Sequence, residues 1–587
     1  MPENEITGKA FDFKLLKRVL RYVKPYRGLF AATGLLTIVL AVLGPLRPWL
    51  IQYTVDHAII TPRPSLLLNL TLLLIGLLLL EGALQFVETY SANKVGQLVI
   101  RDLRNEVFQK ITGFKLKYFD RTPIGRLVTR AVSDIETISE IFSQGILVII
   151  GDVLKLIVVV GFMFYTSWQL TLFSLIPIPI LIVATIVFKN YIKRAFREVR
   201  NAVSALNSFV QEHITGMNVV QIFNREQREY KRFKTINEEH KKAHIKTVWA
   251  NAVFFPIVEI LSAASIALLV WWGAKSVISG DTTPGGLVAF ILYIYMLFRP
   301  IRQLADKFNV LQMGMVSGER VFKVLDTDAK IENEGTISRS EPMKGHVKFS
   351  NVYLAYMDED YILKDLSFEI QAGETGAFVG ATGAGKTSVI NLIARSYEFQ
   401  KGSIEIDNHS IRDYTLTYLR KNVGIVLQDV FLFSGSVLDN ITLRNNSIPK
   451  EKVIEAAKLV GAHEFIMRLP GDYDFNVRER GAMLSVGQRQ LLAFIRAYVY
   501  NPSILILDEA TSSVDTESET LIQQAIDVIT KGRTSIIIAH RLATIQNADK
   551  IFVLDRGKLI ESGNHRELMN RGGEYKKLVD LQFSEVE

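Results

Sequence analysis

Long apolar runs constrain this chain more than any other feature. A helix needs roughly 20 mostly apolar residues to cross a bilayer, because only a helix or a closed barrel satisfies its own backbone there. Windows at residues 28–51, 66–86, 145–165, 170–188 and 248–270 meet that demand, and a sixth at 285–297 runs on toward residue 304. All lie before about residue 306; after about residue 345 short apolar strands alternate with polar helices. The 587 residues therefore read as two unlike domains. The first is an all-α six-helix transmembrane domain over residues 1–330, followed by a linker at 331–345 and an α/β domain at 346–587.

Six crossings leave both ends on one side of the membrane. Lys and Arg crowd into residues 94–130 and 189–246, while 56–65, 167–169 and 275–283 carry few. By the positive-inside rule the basic segments, both termini and the second domain face the cytosol, as expected of a multi-pass protein of the cytoplasmic membrane. The net charge of +8 thus reports topology, and no nucleic-acid partner is implied. The basic segments keep helical periodicity, so the membrane helices continue into the cytosol and end in short turns that can touch a soluble motor. Residues 11–27 combine helical apolar spacing with a basic face, as in a helix lying on a membrane surface.

Charges within the spans are costly unless paired. Asp152 and Lys155 are spaced to share a helix face and neutralise each other, and Glu81 stands in apolar surroundings. Glu259, three residues after the helix-distorting Pro256, is the expected substrate-path group. The chain has no cysteine, which excludes disulfides, thiolate metal sites and Cys nucleophiles.

The sharpest local signal is GATGAGKT at residues 380–387, after a strand (GAFV) and before a helix. Gly380, Ala381, Thr382, Gly383, Ala384 and Gly385 form a loop whose N–H groups turn toward phosphate oxygens. Lys386, Thr387 and Ser388 open the helix; Lys386 neutralises β/γ-phosphate charge, and the Thr387 hydroxyl suits Mg²⁺. A second strand, ILIL, ends in Asp508, placed to hold Mg²⁺, and Glu509, placed to polarise an attacking water. A third, TSIIIA, ends in His540, a γ-phosphate contact.

These motifs, with GIVLQD, LSVGQRQ at 484–490 and LILDEATSSVD, resemble the ABC ATPase family in order and spacing over about residues 346–580. The membrane half also resembles the exporter-type ABC transmembrane domain. FDRTPIGRLVTRAVSD and EHITGMNVVQIFNRE look like its two cytoplasmic loops, and FRPIRQLADKFNVLQMGMVSGERVFKVLD like its sixth helix and exit. The resemblance implies a half-transporter that binds ATP and Mg²⁺. Tyr356 would stack on adenine, with Tyr353 and Tyr361 as alternatives; Gln428 would join Mg²⁺. Ser485, Gly487 and Gln488 would close over nucleotide held by a second half-transporter, Asp515 would couple the two sites, and Glu479 would contact the cytoplasmic loops.

Two positions depart from the family pattern. Val486 replaces the usual Gly of the signature, and Arg478 stands where Gly is frequent. An intact catalytic side with an altered signature fits either one chain of an asymmetric heterodimer or a tolerant homodimer. The function implied is ATP-driven export of an amphipathic or lipid-like small molecule, in contact with membrane lipids. An ATP-gated channel or regulatory receptor on the same fold is the alternative.

Overall fold

The computed structural model describes residues 13–331, 333–357, 359–508, 516–538 and 542–584. It divides into two compact units, one of residues 1–112 and 124–328, the other of residues 113–123 and 329–587.

The first unit is helical. The N-terminal helix α1 (Phe13–Arg21) is shorter than residues 11–27, because Pro25 imposes a 3₁₀ turn, Lys24–Tyr26, before α2 (Arg27–Thr54) begins. Long helices α3 (Pro64–Thr112), α4 (Ile146–Thr166), α5 (Pro177–Thr215), α6 (Glu226–Ile278) and α7 (Pro284–Asp326) follow. Five helical stretches among the described residues are long and apolar enough to span a membrane. At the sixth expected crossing the apolar stretch is shorter, Pro284–Phe298, at the start of α7. Arg299 and Arg302 follow it and cut the apolar run while the helix itself continues.

Only 6% of the most apolar window of α3 is buried, with Leu72, Leu79 and Phe86 all exposed. Apolar surface of that extent is stable against hydrocarbon rather than water. Helices approach closely where side chains are small: a Cβ on Gly151 of α4 would meet Thr37 Cγ2 of α2 at 2.5 Å. Polar sutures help close the bundle. Asp56 accepts from Gly285 N at 2.8 Å and from the Thr283 hydroxyl at 2.6 Å, tying the exit of α2 to the start of α7. The Arg18 guanidinium makes two 2.6 Å bonds to the Asp326 carboxylate at the end of α7, and stacks on Phe322. That fork holds α1 to the bundle.

The second unit carries two sheets. Strands β1 (Val347–Ala355), β2 (Tyr361–Ile370), β4 (Lys401–Ile406) and β5 (His409–Ser410) form an antiparallel sheet ordered β2-β1-β4-β5. The other sheet, ordered β10-β9-β3-β8-β7-β6, combines β3 (Thr375–Val379), β6 (Val423–Val426), β7 (Ile504–Asp508), β8 (Thr534–Ile538), β9 (Lys550–Asp555) and β10 (Lys558–Gly563). It is parallel from β9 to β6. Parallel strands buried on both faces need apolar residues throughout. Accordingly Ala377 and Val379 enter one core with Leu505 and Leu507, and Phe378 enters the other with Ile504 and Ile506. The short helix Leu116–Arg121 belongs to this unit: Lys115 N donates to Ala329 O at 2.7 Å, and Arg121 Nη2 to Tyr356 O at 2.9 Å.

Arg478 departs from the family pattern at a position where the backbone is strained. Its φ of 58° and ψ of −168° fall in a region that only glycine adopts without strain. Such strain costs about 1–3 kcal/mol, partly offset by glycine's greater freedom in the unfolded chain. Arg478→Gly is therefore expected to raise the melting temperature of the purified chain, by the equivalent of about 1 kcal/mol. An unchanged or lower melting temperature would contradict this.

Candidate active site

Parallel pairing sets the site. Phe378 of β3 lies beside Ile538 of β8, Ile538 beside Asp508 of β7, and Leu507 beside Val426 of β6. The C-terminal ends of these strands thus form one edge, where α/β sheets bind ligands. Gly380 leaves β3 there, Asp508 ends β7, and Gln428 follows β6 by two residues. Glu509, Asp515 and His540 lie outside the described residues.

The loop from Gly380 to Gly385 needs its glycines. Gly380 has φ 148°, and a Cβ there would meet Leu554 O at 2.1 Å; Gly385 has φ 104°, and a Cβ there would meet Leu363 Cδ2 at 2.7 Å. Gly385 caps helix α8 (Lys386–Ile393) without a side chain, so the first N–H groups of the helix receive no capping oxygen from it. Ala381, Thr382, Gly383 and Thr387 are exposed, while Ala384 is buried beneath them. This is a cradle for an anion at a helix N-terminus.

Lys386 folds back over the cradle. Its Nζ donates to Gly380 O at 2.6 Å and Ala381 O at 3.2 Å, and the residue is 7% exposed. Burial lowers its pKa from the usual lysine value, and the nearby Asp508 carboxylate opposes that shift. A cation held in this way gains most from an incoming phosphate. Thr387, Gln428 and Asp508 offer hydroxyl, amide and carboxylate oxygens, a hard donor set suited to Mg²⁺.

Tyr356 stands at the other side of the loop. Its hydroxyl bonds Ser388 Oγ at 3.0 Å and accepts from Asn391 Nδ2 at 3.1 Å, and its ring meets Tyr397 edge-on at 4.7 Å. Among the three tyrosines considered, Tyr356 is thus tied to the loop's helix. Tyr353 and Tyr361 instead pack on each other at 5.5 Å, with the Lys401 ammonium over both rings.

The signature residues begin helix α9 (Val486–Tyr500). Ser485 and Gln488 form a capping box, Ser485 Oγ accepting from Gln488 N at 3.2 Å and Gln488 Oε1 from Ser485 N at 3.0 Å. Gly487 is buried, whereas Ser485 and Val486 are exposed, Val486 by 43%. Glu479 opens a 3₁₀ turn, Glu479–Gly481, directly after the strained Arg478.

A second polar site lies inside the first unit, in a cavity of about 610 Å³ lined by Arg47, Glu81, Asp152, Lys155 and Lys307 among others. Glu259 is exposed and does not line it. Asp152 accepts from Lys307 of α7, a partner that spacing along one helix cannot reveal. Arg47 is a charge inside the first apolar window, between Pro45 and Pro48, and the carboxylate it approaches, Glu81, lies on another helix.

The chain matches the ABC transporter transmembrane region over residues 30–301 and the ABC transporter family over residues 363–512. It is 39% identical to YknV of Bacillus subtilis, an uncharacterized ABC transporter ATP-binding protein, over 99% of this chain and 96% of that one. It is 34% identical to an ATP-dependent lipid A-core flippase of Syntrophus aciditrophicus, over 97% of this chain and 95% of that one. A Staphylococcus aureus chain named for multidrug export, an ATP-binding/permease protein, is 36% identical over 97% of this chain and all of its own length. One membrane region and one ATP-binding region thus share a single polypeptide with relatives aligned along nearly all of it. The chain belongs to the ABC transporter family, as a half-transporter whose ATPase is coupled to transport.

Proposed function

We propose that the chain exports an amphipathic or lipid-like molecule across the cytoplasmic membrane, working as a dimer with a second half-transporter. One observation carries this reading: a phosphate cradle with a buried lysine shares the polypeptide with helices whose apolar faces lie exposed. The flippase and multidrug-export names of two relatives support the substrate class. Six crossings, with residues 331–345 as linker and residues 346–587 as the cytosolic ATPase, complete the reading.

In this proposal Tyr356 stacks on adenine, and the residues from Gly380 to Ser388 wrap the phosphates. Lys386 moves from the Gly380 and Ala381 carbonyls to the β/γ-phosphates, exchanging neutral acceptors for charged ones. Mg²⁺, held by Thr387, Gln428 and Asp508, would supply charge neutralisation at the phosphates. Glu509 orients and deprotonates the attacking water, and His540 contacts the γ-phosphate. Ser485, Gly487 and Gln488 of each copy close over nucleotide on the other, so a lone copy cannot complete a site; Asp515 links the pair. Gln488 does so chiefly as part of the capping box that shapes the helix start, since its side chain is engaged there. Whether the second half is another copy or a different chain turns on how the exposed Val486 meets the partner's nucleotide.

Two outcomes follow. Glu509→Gln is expected to bind ATP and form the closed dimer while steady-state phosphate release falls about 100-fold or more, as for loss of a general base. Near-normal turnover by this variant would sink the assignment. Lys386→Met removes a desolvated cation, so without nucleotide it should melt no lower than wild type. At saturating MgATP the wild type gains about 2.7 kcal/mol for ligand at 100 times Kd, and the variant should lose most of that shift. Thermal melts with and without MgATP check both halves; a full shift in the variant would contradict the role of Lys386.

A further inference from the structure

The cavity in the first unit holds three cations, Arg47, Lys155 and Lys307, and two carboxylates, Glu81 and Asp152. Their pairing is uneven. Asp152 is committed to Lys307, with side chains 20% and 17% exposed. Glu81 is not so well served: Arg47 Nη1 approaches Glu81 Oε2 only to 3.7 Å, too far for a hydrogen bond. That oxygen is buried and accepts no hydrogen bond. Glu81 Oε1 and Lys155 Cε flank Gly44, lying 3.7 and 3.6 Å from where its Cβ would be, so the two side chains pack over a glycine.

From this geometry we infer that the cavity selects an amphiphile whose head group carries both a protonated amine and an acid group. The inference rests on the export reading and names the substrate class within it. An ammonium that donates to the Glu81 carboxylate, with an acid that accepts from the Arg47 fork, replaces one loose ion pair by two charge-assisted hydrogen bonds. A purely anionic head group would engage Arg47 and leave Glu81 buried without a donor. A purely cationic one would satisfy Glu81 and strand Arg47 in a cavity that already has one excess positive charge. Either leaves one of the two charges without a hydrogen-bonded counterpart, which is the costlier state. About 610 Å³ accommodates a head group, and a tail can follow the exposed apolar face of α3 at Leu78 and Leu79.

Binding to the full-length chain in detergent tests this without nucleotide or turnover. The probes are radiolabelled oleoyl lysophosphatidylethanolamine, its N-acetyl derivative and oleoyl lysophosphatidylglycerol. The amine-bearing probe is expected to bind about 10-fold tighter than either, a difference set by one charge-assisted hydrogen bond. Glu81→Gln should abolish that preference, and Arg47→Gln should weaken all three probes. Equal binding of the three by wild type overturns the inference whether or not the variants fold, as does a preference that survives in a folded Glu81→Gln. ATP-driven flux of any amphiphile by the same protein reconstituted into proteoliposomes separates the two readings. Flux without the head-group ranking defeats this inference alone, and the ranking without flux defeats export while the site stands.

Discussion

Parallel registration of β3, β8, β7 and β6 is the constraint on which the active edge depends. Residues more than a hundred positions apart in the chain meet only because Phe378, Ile538 and Asp508 are neighbours across strands. The register is fixed from within: a one-residue slip would carry Phe378 from its cluster with Phe368 and Phe552 into the opposite core and expose the pattern to mismatch on both faces. The cradle then follows from the glycines at the exit of β3, where the Leu554 carbonyl leaves no room for a Cβ. Lys386 is buried at that exit and offsets its desolvation with bonds of 2.6 and 3.2 Å to carbonyls that a phosphate can supplant.

Much of this edge was legible in the sequence because strand, loop and helix are local. The strand before the glycine loop, the strand ending at Asp508 and the helix after LSV all occur where the pattern set them, within a residue or two. What was not legible depends on packing between distant segments. The attachment of Leu116–Arg121 to the second unit rests on bonds to Ala329 and Tyr356, over two hundred positions away in sequence. Family resemblance pointed to Tyr356 with Tyr353 and Tyr361 as alternatives, and the hydrogen bonds of Tyr356 to Ser388 and Asn391 are tertiary facts. The roles of Glu509, Asp515 and His540 rest on motif position alone, since these residues lie outside the described ones.

In the helical unit the periodicity of apolar residues located the helices but not their charges' partners. Spacing along one helix pointed to Lys155 as the neighbour of Asp152, and the structure brings Lys307 to Asp152 from another helix as well. Emphasis on Glu259 followed from the neighbouring Pro256, yet the charged cavity is built around Glu81 and Arg47. Proline marks helix distortion without showing which way a side chain faces. The shortfall at the sixth crossing has a similar origin: helix continuity through Arg299 and Pro300 is set by packing, and hydropathy alone stops at Phe298.

Coupling of ATP hydrolysis to directional movement of an amphiphile is tested most directly by one measurement. Proteoliposomes containing the chain, with its partner half if one is required, receive MgATP on the side of the ATPase domain, and phosphate release and transfer of a fluorescent amphiphile are followed together. The account predicts that the amphiphile stimulates hydrolysis and moves away from the ATP side only while ATP is hydrolysed. Transfer that proceeds equally with a non-hydrolysable ATP analogue would contradict it and establish a nucleotide-gated path instead.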